Sequence, residues 1–142
     1  MPKHRFDKLF SVEDANELVP TLELLTRKIQ SAASQVRTRV AELLESDPET
    51  ARMDLPAIVA RYPDVGPPAA VLAEMVHKIE ALGCILKDID MGLVDFPCAV
   101  GKDDVVFLCW QSGEPTVAAW HPVDAGFAQR KPLPGAAKPT MN

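Results

Sequence analysis

The segment from Leu18 to Leu43, LVPTLELLTRKIQSAASQVRTRVAEL, decides the fold of this chain. Its apolar residues recur at alternating steps of three and four, which places them in one stripe along a helix whose other faces are polar. The stripe consists of Leu18, Leu22, Leu25, Ile29, Ala32, Val36, Val40 and Leu43. Such a stripe predicts a helix that buries one side against a partner element.

The start and the length of this helix can also be predicted. Ser11 is a typical N-cap, and the acidic residues that follow it suit the positive end of a helix, so the helix should cover about residues 11–45. Pro20 lacks an N–H group, which predicts a kink or a short first helix ending near Val19. The remaining piece of about 26 residues would be about 39 Å long, so part of it should project or pack on another copy. The helix therefore favours a homodimer or a protein partner.

A second stripe with the same period supplies a partner for the first within the chain. It consists of Leu72, Met75, Ile79, Leu82, Leu86 and Ile89. The two stripes predict an antiparallel helical hairpin, joined by a proline-rich connector over residues 46–68 with one short turn at Leu55 to Arg61. Gly83 leaves two alternatives, because it either stops the second helix, which then covers 68–82, or lies inside a helix over 68–90.

Short runs rich in β-branched and aromatic residues follow the hairpin. They are Leu93 to Phe96, Val105 to Trp110 and Thr116 to His121, and turn-forming residues separate them. These runs predict a three- or four-stranded antiparallel sheet over about 84–121. Residues 1–130 are therefore expected to form a single α+β domain, and residues 131–142, which are rich in proline, a disordered tail.

Composition excludes several classes of protein. The chain has 142 residues, of which 47% are hydrophobic, with 20 acidic against 15 basic residues and a net charge of −5. Because no basic patch is visible, a nucleic-acid partner is not expected. No apolar run approaches the roughly 20 residues that cross a bilayer, and no signal peptide is apparent, so neither membrane insertion nor secretion is expected.

The cysteines indicate a reducing compartment. Cys84, Cys98 and Cys109 are odd in number and lie among apolar residues, where free thiols usually serve as small buried side chains. A catalytic thiol is the less favoured reading, since no histidine lies near any of them in sequence. The cysteines therefore predict a cytoplasmic protein without disulfides.

Polar residues beside the apolar strands are the candidates for a binding site. They are Asp88, Asp95, Glu114, His121, Asp124 and Arg130. The plainest interpretation is that they cap turns and form surface ion pairs. A second is a divalent-metal site in which Glu114, His121 and Asp124 are the ligands. A third is an acid and base pair, formed when one of the aspartates 88, 90 and 95 meets Glu114.

Other motifs add little to this list. Trp110 and Trp120 lie on successive predicted strands, where a core role is expected. The chain contains no glycine-rich phosphate loop, no Gly-x-Ser-x-Gly elbow, no His-Glu-x-x-His and no Cys-x-x-Cys. The common nucleotide-dependent and hydrolytic chemistries therefore lose support.

Three blocks of sequence resemble a known family. They are Leu86 to Pro97 (LKDIDMGLVDFP), Leu108 to Pro115 (LCWQSGEP) and Trp120 to Phe127 (WHPVDAGF). Together with the segment that starts at Phe10, they resemble a bacterial family catalogued only as a domain of unknown function, and the resemblance extends to about Leu133. Some members carry the label division initiation protein. The resemblance implies no catalytic residue, but it points to the third block as the place for a ligand.

Two hypotheses of function remain from the sequence. The leading one is a cytoplasmic, non-enzymatic binding or protein-interaction domain whose helical hairpin binds a partner or a second copy. The alternative is a metal-dependent or acid/base enzyme with a site around His121, Asp124 and Glu114.

Overall fold

The chain folds with its helices first and its strands afterwards, as seen in a computed structural model that describes residues 6–134. The elements are the helices α1 (Val12–Ser46), α2 (Leu55–Arg61) and α3 (Gly66–Ala81) and the strands β1 (Ile85–Asp88), β2 (Leu93–Val100), β3 (Asp104–Gln111), β4 (Ala119–Pro122) and β5 (Lys131–Pro132). Neighbouring strands pair antiparallel in chain order. The predicted α+β class is confirmed, although the sheet has five strands rather than three or four.

Helix α1 begins where the sequence predicted. The Ser11 hydroxyl accepts a hydrogen bond from the backbone N–H of Asp14 (3.0 Å), and the Asp14 carboxylate accepts one from the Ser11 N–H (3.2 Å). These two bonds form a capping box, which satisfies backbone donors that a helix start leaves free. Over residues 6–134, no helix combines the length and the apolar content needed to cross a bilayer.

Pro20 lies inside α1 without ending it. The helix is continuous from Val12 to Ser46, so the prediction of a short first helix ending near Val19 is wrong. A proline in a helix interior costs about 3 kcal/mol, whereas each aliphatic side chain that is fully buried contributes about 1.5–3 kcal/mol. Val19 and Leu22, on either side of Pro20, are 8% and 0% exposed, and their burial outweighs the lost hydrogen bond.

The proline-rich connector covers the second half of α1. At 35 residues α1 is about 52 Å long, which exceeds what the sheet can cover. Val36 and Leu43 of α1 pack instead with Ile58 and Val65 of the connector, in a second core that we call the connector core. The short helical turn predicted at Leu55 to Arg61 is present as α2. The stripe on this half of α1 is therefore covered by the chain itself instead of projecting.

Gly83 stops the second long helix. Helix α3 ends at Ala81, and Gly83 has a φ of +92°, a conformation that side chains other than glycine rarely adopt. A Cβ atom at this position would also lie 2.9 Å from Cβ of Lys8. Of the two alternatives left by the sequence, the one that ends the helix near residue 82 and starts a strand after it is confirmed.

One face of the sheet packs against the helices. Alternate residues of β2 and β3 form this face, and they contact apolar side chains of α1 and α3. The buried residues from the sheet are Val94, Phe96, Leu108 and Trp110, and those from the helices include Leu22, Ile29, Met75 and Ile79. Trp110 is fully buried, as its predicted core role requires, and Trp120 is half-buried against the same core. This main core fixes the sheet on the hairpin.

The opposite face of the sheet carries a different set of side chains. Because side chains alternate along a strand, Asp95, Phe107, Cys109 and His121 all lie on the face turned away from the helices. The ring of Phe6 packs edge-on against Phe107, with ring centroids 5.5 Å apart. The segment 123–130 after β4 also lies beside this face. Within residues 6–134, the second face is therefore covered by short segments instead of by one of the helices α1 to α3.

The predicted tail needs a correction at its first residues. Lys131 and Pro132 form β5, which pairs with Trp120 and Ala119, and the N–H of Leu133 donates to the Ala118 carbonyl (3.0 Å). These residues are held because β4 offers an open backbone edge to pair with. Residues 135–142 of the predicted disordered tail lie outside the described residues.

Candidate functional site

The candidate site lies on the sheet face away from the helices, where three neighbouring strands each supply one polar residue. Asp95 on β2 stands directly opposite Cys109 on β3, and His121 on β4 stands opposite Phe107. Strands lie about 4.8 Å apart, so long side chains from β2 and β4 can meet above β3. His121 Nε2 and Asp95 Oδ2 are 3.0 Å apart, and the two residues are 2% and 1% exposed.

The second ring nitrogen of His121 fixes how protons are distributed in this pair. His121 Nδ1 lies 2.8 Å from the backbone carbonyl of Pro122. A carbonyl oxygen only accepts hydrogen bonds, so Nδ1 must carry a proton and donate it. A single remaining proton then lies between Nε2 and the Asp95 carboxylate. The pair is neutral as a whole, either as acid and imidazole or as carboxylate and imidazolium.

The environment makes Asp95 a weak acid. Burial raises the pKa of the Asp95 carboxyl above its usual range, and the positive charges of His121 and Lys87 only partly oppose this effect. Lys87 lies at the border of the site, with its Nζ atom 5.0 Å from the centre of the Phe107 ring. The carboxyl group therefore keeps hold of a proton more readily than an exposed aspartate does.

Cys109 completes the polar floor of the site. Its sulfur lies within 4.8 Å of the Asp95 carboxylate, and burial, followed by the charge of Asp95, raises the pKa of the thiol to about 12. The thiol is therefore protonated near neutral pH and is not a nucleophile by itself. The ligand atoms of Asp95, Cys109 and His121 all lie within 4.8 Å of one another, and within residues 6–134 this is the one such group of three.

A cavity of about 210 Å³ opens onto this floor, and we call it the His121 cavity. Its lining residues are Lys87, Asp88, Leu93, Asp95, Cys109, His121, Ala125, Gly126 and Phe127. The last three belong to segment 123–130, which forms one wall. Arg130 anchors the end of this segment through two bonds to the Glu114 carboxylate (3.1 and 2.9 Å), and its guanidinium lies 4.8 Å from the Phe127 ring centre.

The residues predicted from sequence fall into two groups. Asp95 and His121 meet in the site, and Asp88 lines the same cavity while its carboxylate accepts a hydrogen bond from the Met91 N–H (2.9 Å). Glu114 and Arg130 bind each other, and Glu114 also accepts a bond from the Gln111 N–H (2.7 Å).

Asp124 lies apart from both groups. It is exposed and lines a separate cavity beside Asp104 and Trp120. The structure therefore does not bring Glu114, His121 and Asp124 together as a ligand set. The carboxylate that His121 contacts belongs to Asp95.

Sequence reasoning missed two residues of the site, Cys109 and Lys87. The sequence predicted Cys109 to be an ordinary buried thiol. Its burial is as predicted, but its position beside Asp95 and His121 was not foreseen. The signal that identifies it is strand register, because aligning β2, β3 and β4 across their turns puts Asp95, Cys109 and His121 on one face. A lone aspartate inside the apolar run Val94 to Phe96 was the visible hint.

The chain belongs to the uncharacterized conserved protein family DUF2203, whose sequence profile matches residues 8–133. This match confirms the resemblance to a family of unknown function. Comparisons with curated proteins and with solved structures gave no significant match. The family description assigns no activity, so the function has to be inferred from the chemistry of the site.

Proposed function

We propose that this family member is a binding protein for a small polar molecule, which enters the His121 cavity and contacts the Asp95–His121 pair. The observation that supports the proposal is the burial of this pair at the base of a cavity, where neither residue is more than 2% exposed. The proposal belongs to the binding class that the sequence favoured, with a small ligand in place of a protein partner.

Stability alone does not account for a buried pair of this kind. Removing ionisable groups from water costs several kcal/mol each, and well-packed apolar residues in their place are often neutral or stabilising. The main core shows that this chain can fill the interior of its sheet with apolar side chains. Polar groups that are buried beside a cavity are the usual mark of a binding site.

The lining limits what the ligand can be. A volume of about 210 Å³ is below the roughly 300–1,000 Å³ of sites for drug-sized molecules, so the ligand is small. Lys87 offers a positive charge, Asp88 and Asp95 offer carboxylates, and Phe127 offers an apolar ring. These side chains would bind a small molecule that has an anionic group to contact Lys87 and a hydrogen-bonding group to contact Asp88 or Asp95.

The hydrogen bonds of His121 favour binding over acid–base catalysis. Nδ1 is held by the Pro122 carbonyl and Nε2 by Asp95, so both ring nitrogens are already engaged. A general base needs a nitrogen within reach of the substrate. The arrangement is suited to recognising a polar group, because a ligand that displaces one of these bonds must supply an equivalent one.

Nuclear magnetic resonance can test this proposal directly. The ¹⁵N-labelled protein is titrated with small carboxylates, amino acids and phosphate monoesters, while thermal shifts are recorded for the same panel. We expect at least one compound to raise the melting temperature and to shift the amide signals of Lys87, Gly126 and Phe127.

Two variants make the test specific. Asp95→Asn replaces the carboxyl group by an amide of about the same size, and it should abolish the response. Asp124→Asn makes the same chemical change at an exposed carboxylate that lines a different cavity, and it should leave the response intact. If no compound shifts these amides, or if Asp95→Asn responds like the wild type, the proposal is wrong.

A further inference from the structure

We propose that Asp95, Cys109 and His121 bind one divalent transition-metal ion of the zinc class, with the His121 cavity supplying the remaining coordination position. This inference rests on the proposed function, since the ion would occupy the floor of the same cavity and form part of the surface that the ligand contacts.

The types of donor atom select the class of metal. The three residues offer a sulfur, an imidazole nitrogen and a carboxylate oxygen. Sulfur and nitrogen ligands suit zinc and its neighbours, whereas calcium and magnesium prefer oxygen alone. The site therefore selects a borderline-soft ion such as Zn²⁺ or Co²⁺.

The distances are close to those of a bound ion. Bond lengths of about 2.0–2.3 Å and tetrahedral angles place the ligand atoms of a zinc site about 3.3–3.6 Å apart. Here Asp95 Oδ2 and His121 Nε2 are 3.0 Å apart, and all three ligand atoms lie within 4.8 Å of one another. Chelation requires the carboxylate and the imidazole to separate by a few tenths of an ångström and the thiol to move by no more than about 1.5 Å, which side-chain rotation can supply.

The hydrogen bond of His121 to the backbone is a second, independent observation. Metal-binding histidines almost always donate their other ring N–H to a carbonyl or a carboxylate, which fixes the ring and directs the ligating nitrogen. His121 Nδ1 is held in this way by the Pro122 carbonyl, so that Nε2 points to Asp95 and Cys109. The ring is already in the tautomer that a metal at Nε2 needs.

Charge balance also allows an ion at this buried position. Metal ligands bind in their deprotonated forms, which here are a carboxylate, a thiolate and a neutral imidazole. The two negative ligands offset the charge of a divalent ion, so the occupied site would bury no net charge.

Three protein ligands beside a cavity describe an open site. Structural zinc sites are usually closed by four protein ligands, whereas sites that act on or hold a small molecule keep one position for water or for the ligand. The His121 cavity adjoins all three residues and would hold that fourth group. The ligand of the proposed function is therefore expected to have an atom that can coordinate the ion.

Cobalt spectroscopy tests the metal site. Protein made without a histidine tag is treated with a chelator, dialysed and titrated with Co²⁺ without oxygen. We expect one equivalent to produce a thiolate-to-cobalt charge-transfer band and the intense visible bands of four-coordinate cobalt, and Zn²⁺ to displace it. If neither band appears at one equivalent, the inference is overturned.

Matched variants identify the ligands. Cys109→Ser should remove the charge-transfer band and weaken cobalt binding by at least about tenfold, while Cys84→Ser, an equally buried thiol on the other side of the sheet, should change neither. His121→Gln should weaken binding, and His77→Gln, on the exposed side of α3, should not. A band that survives Cys109→Ser overturns the inference.

A second experiment is used if Cys109→Ser does not fold. In the wild type, one equivalent of Zn²⁺ should protect Cys109 from alkylation, and absence of protection overturns the inference.

The outcome for the ion and the outcome for the ligand can be told apart. If cobalt does not bind but a compound of the panel still shifts the amides of the cavity, only the metal inference falls. If cobalt binds and no compound shifts those amides with or without zinc, the metal site stands and the proposed function falls. If neither experiment responds, both are wrong.

Discussion

Asp95 is the residue on which the site depends. His121 Nε2 forms a hydrogen bond with its carboxyl group, the Cys109 sulfur lies within 4.8 Å of it, and the charge of Lys87 acts on it from the border of the cavity. A buried group with several partners cannot be removed without leaving those partners unsatisfied. Its importance can therefore be measured as a free energy of unfolding as well as by ligand binding.

We expect Asp95→Ala to lower the free energy of unfolding by about 3–5 kcal/mol, because it leaves Nε2 of the buried His121 imidazole without its hydrogen-bond partner. Asp95→Asn should lower it less, since the amide NH₂ group can still donate a hydrogen bond to His121 Nε2. Urea unfolding at neutral pH measures both. Asp124→Ala, at an exposed carboxylate, should stay within about 0.5 kcal/mol of the wild type. An Asp95→Ala protein as stable as the Asp124→Ala protein would contradict the structure of the pair.

Among the elements, α1 is joined to the segment between β3 and β4 by the side chains of Asn16, Glu23 and Thr26, and Glu23 makes two of these bonds. The Glu23 carboxylate accepts bonds from the Gly113 N–H (3.0 Å), from the Ser112 hydroxyl (3.1 Å) and from the Arg27 guanidinium (3.1 Å). These bonds, led by the Gly113 N–H, lower the pKa of Glu23 below its ordinary value. This segment leads from β3 toward the strand that carries His121, so Glu23 helps to position the site from a distance.

The lowered pKa of Glu23 predicts how the stability of the protein changes with pH. The carboxylate of Glu23 binds a proton more readily in the unfolded chain than in the folded chain. Its contribution to the stability of the folded state is therefore present at pH values above 4.5, the ordinary pKa of the group, and is lost as the pH falls through the lowered pKa. Glu23→Gln should remove about 1 kcal/mol of stability at neutral pH and much less at low pH. Urea unfolding at pH 7 and near pH 3 measures the difference between the two proteins. Glu13→Gln, at an exposed glutamate of the first turn, is the control, and an equal loss for Glu23→Gln at both pH values would contradict the prediction.

Elements set by local chemistry were predictable from the sequence. The stripe of α1, the cap at Ser11, the short helix at Leu55 to Arg61 and the strands after Gly92 all depend on residues close together in the chain. Pro20 was misjudged because its local effect is opposed by burial on the main core, which is a tertiary quantity. Local preference fails where distant contacts outweigh it.

The site was only partly predictable for the same reason. Asp95 and His121 were candidates as single residues, but their pairing crosses two turns and 26 positions of sequence. A shift of the register by one residue would send either side chain to the opposite face of the sheet. The partner of His121 therefore follows from the alignment of β2, β3 and β4, which spacing along the chain does not reveal.

On the scale of the whole molecule, α1 connects two separate cores. Its first half packs in the main core with the sheet, and its second half packs in the connector core. The connector core is small and contains no residue of the site. The prediction of a homodimer or protein partner at the hairpin stays a prediction, as does a cytoplasmic location, but the connector supplies part of the cover that a partner was expected to give.

The two cores should respond separately to mutation. Leu43 is 2% exposed in the connector core, so Leu43→Ala should lower stability by about 2–5 kcal/mol. Hydrogen exchange should become faster over residues 36–65 while the amides of β2 and β3 stay protected. Leu24→Ala, on the same helix but 63% exposed, should change neither quantity. Equal acceleration of exchange throughout the chain would show that the cores unfold together.

The pairing of Lys131 and Pro132 with β4 has a consequence for how this protein behaves at high concentration. A sheet with a bare outer strand offers its backbone to neighbouring molecules, and aggregates grow by adding strands there. Here the strand at this edge, β5, is two residues long and ends in a proline, which has no N–H group to donate. At the opposite edge of the sheet, the pairing of β1 with β2 is irregular at Lys87. Truncating the chain before Lys131 would uncover the backbone of Ala119 and Trp120, and such a protein should precipitate or form fibrils under conditions in which the full chain stays dispersed.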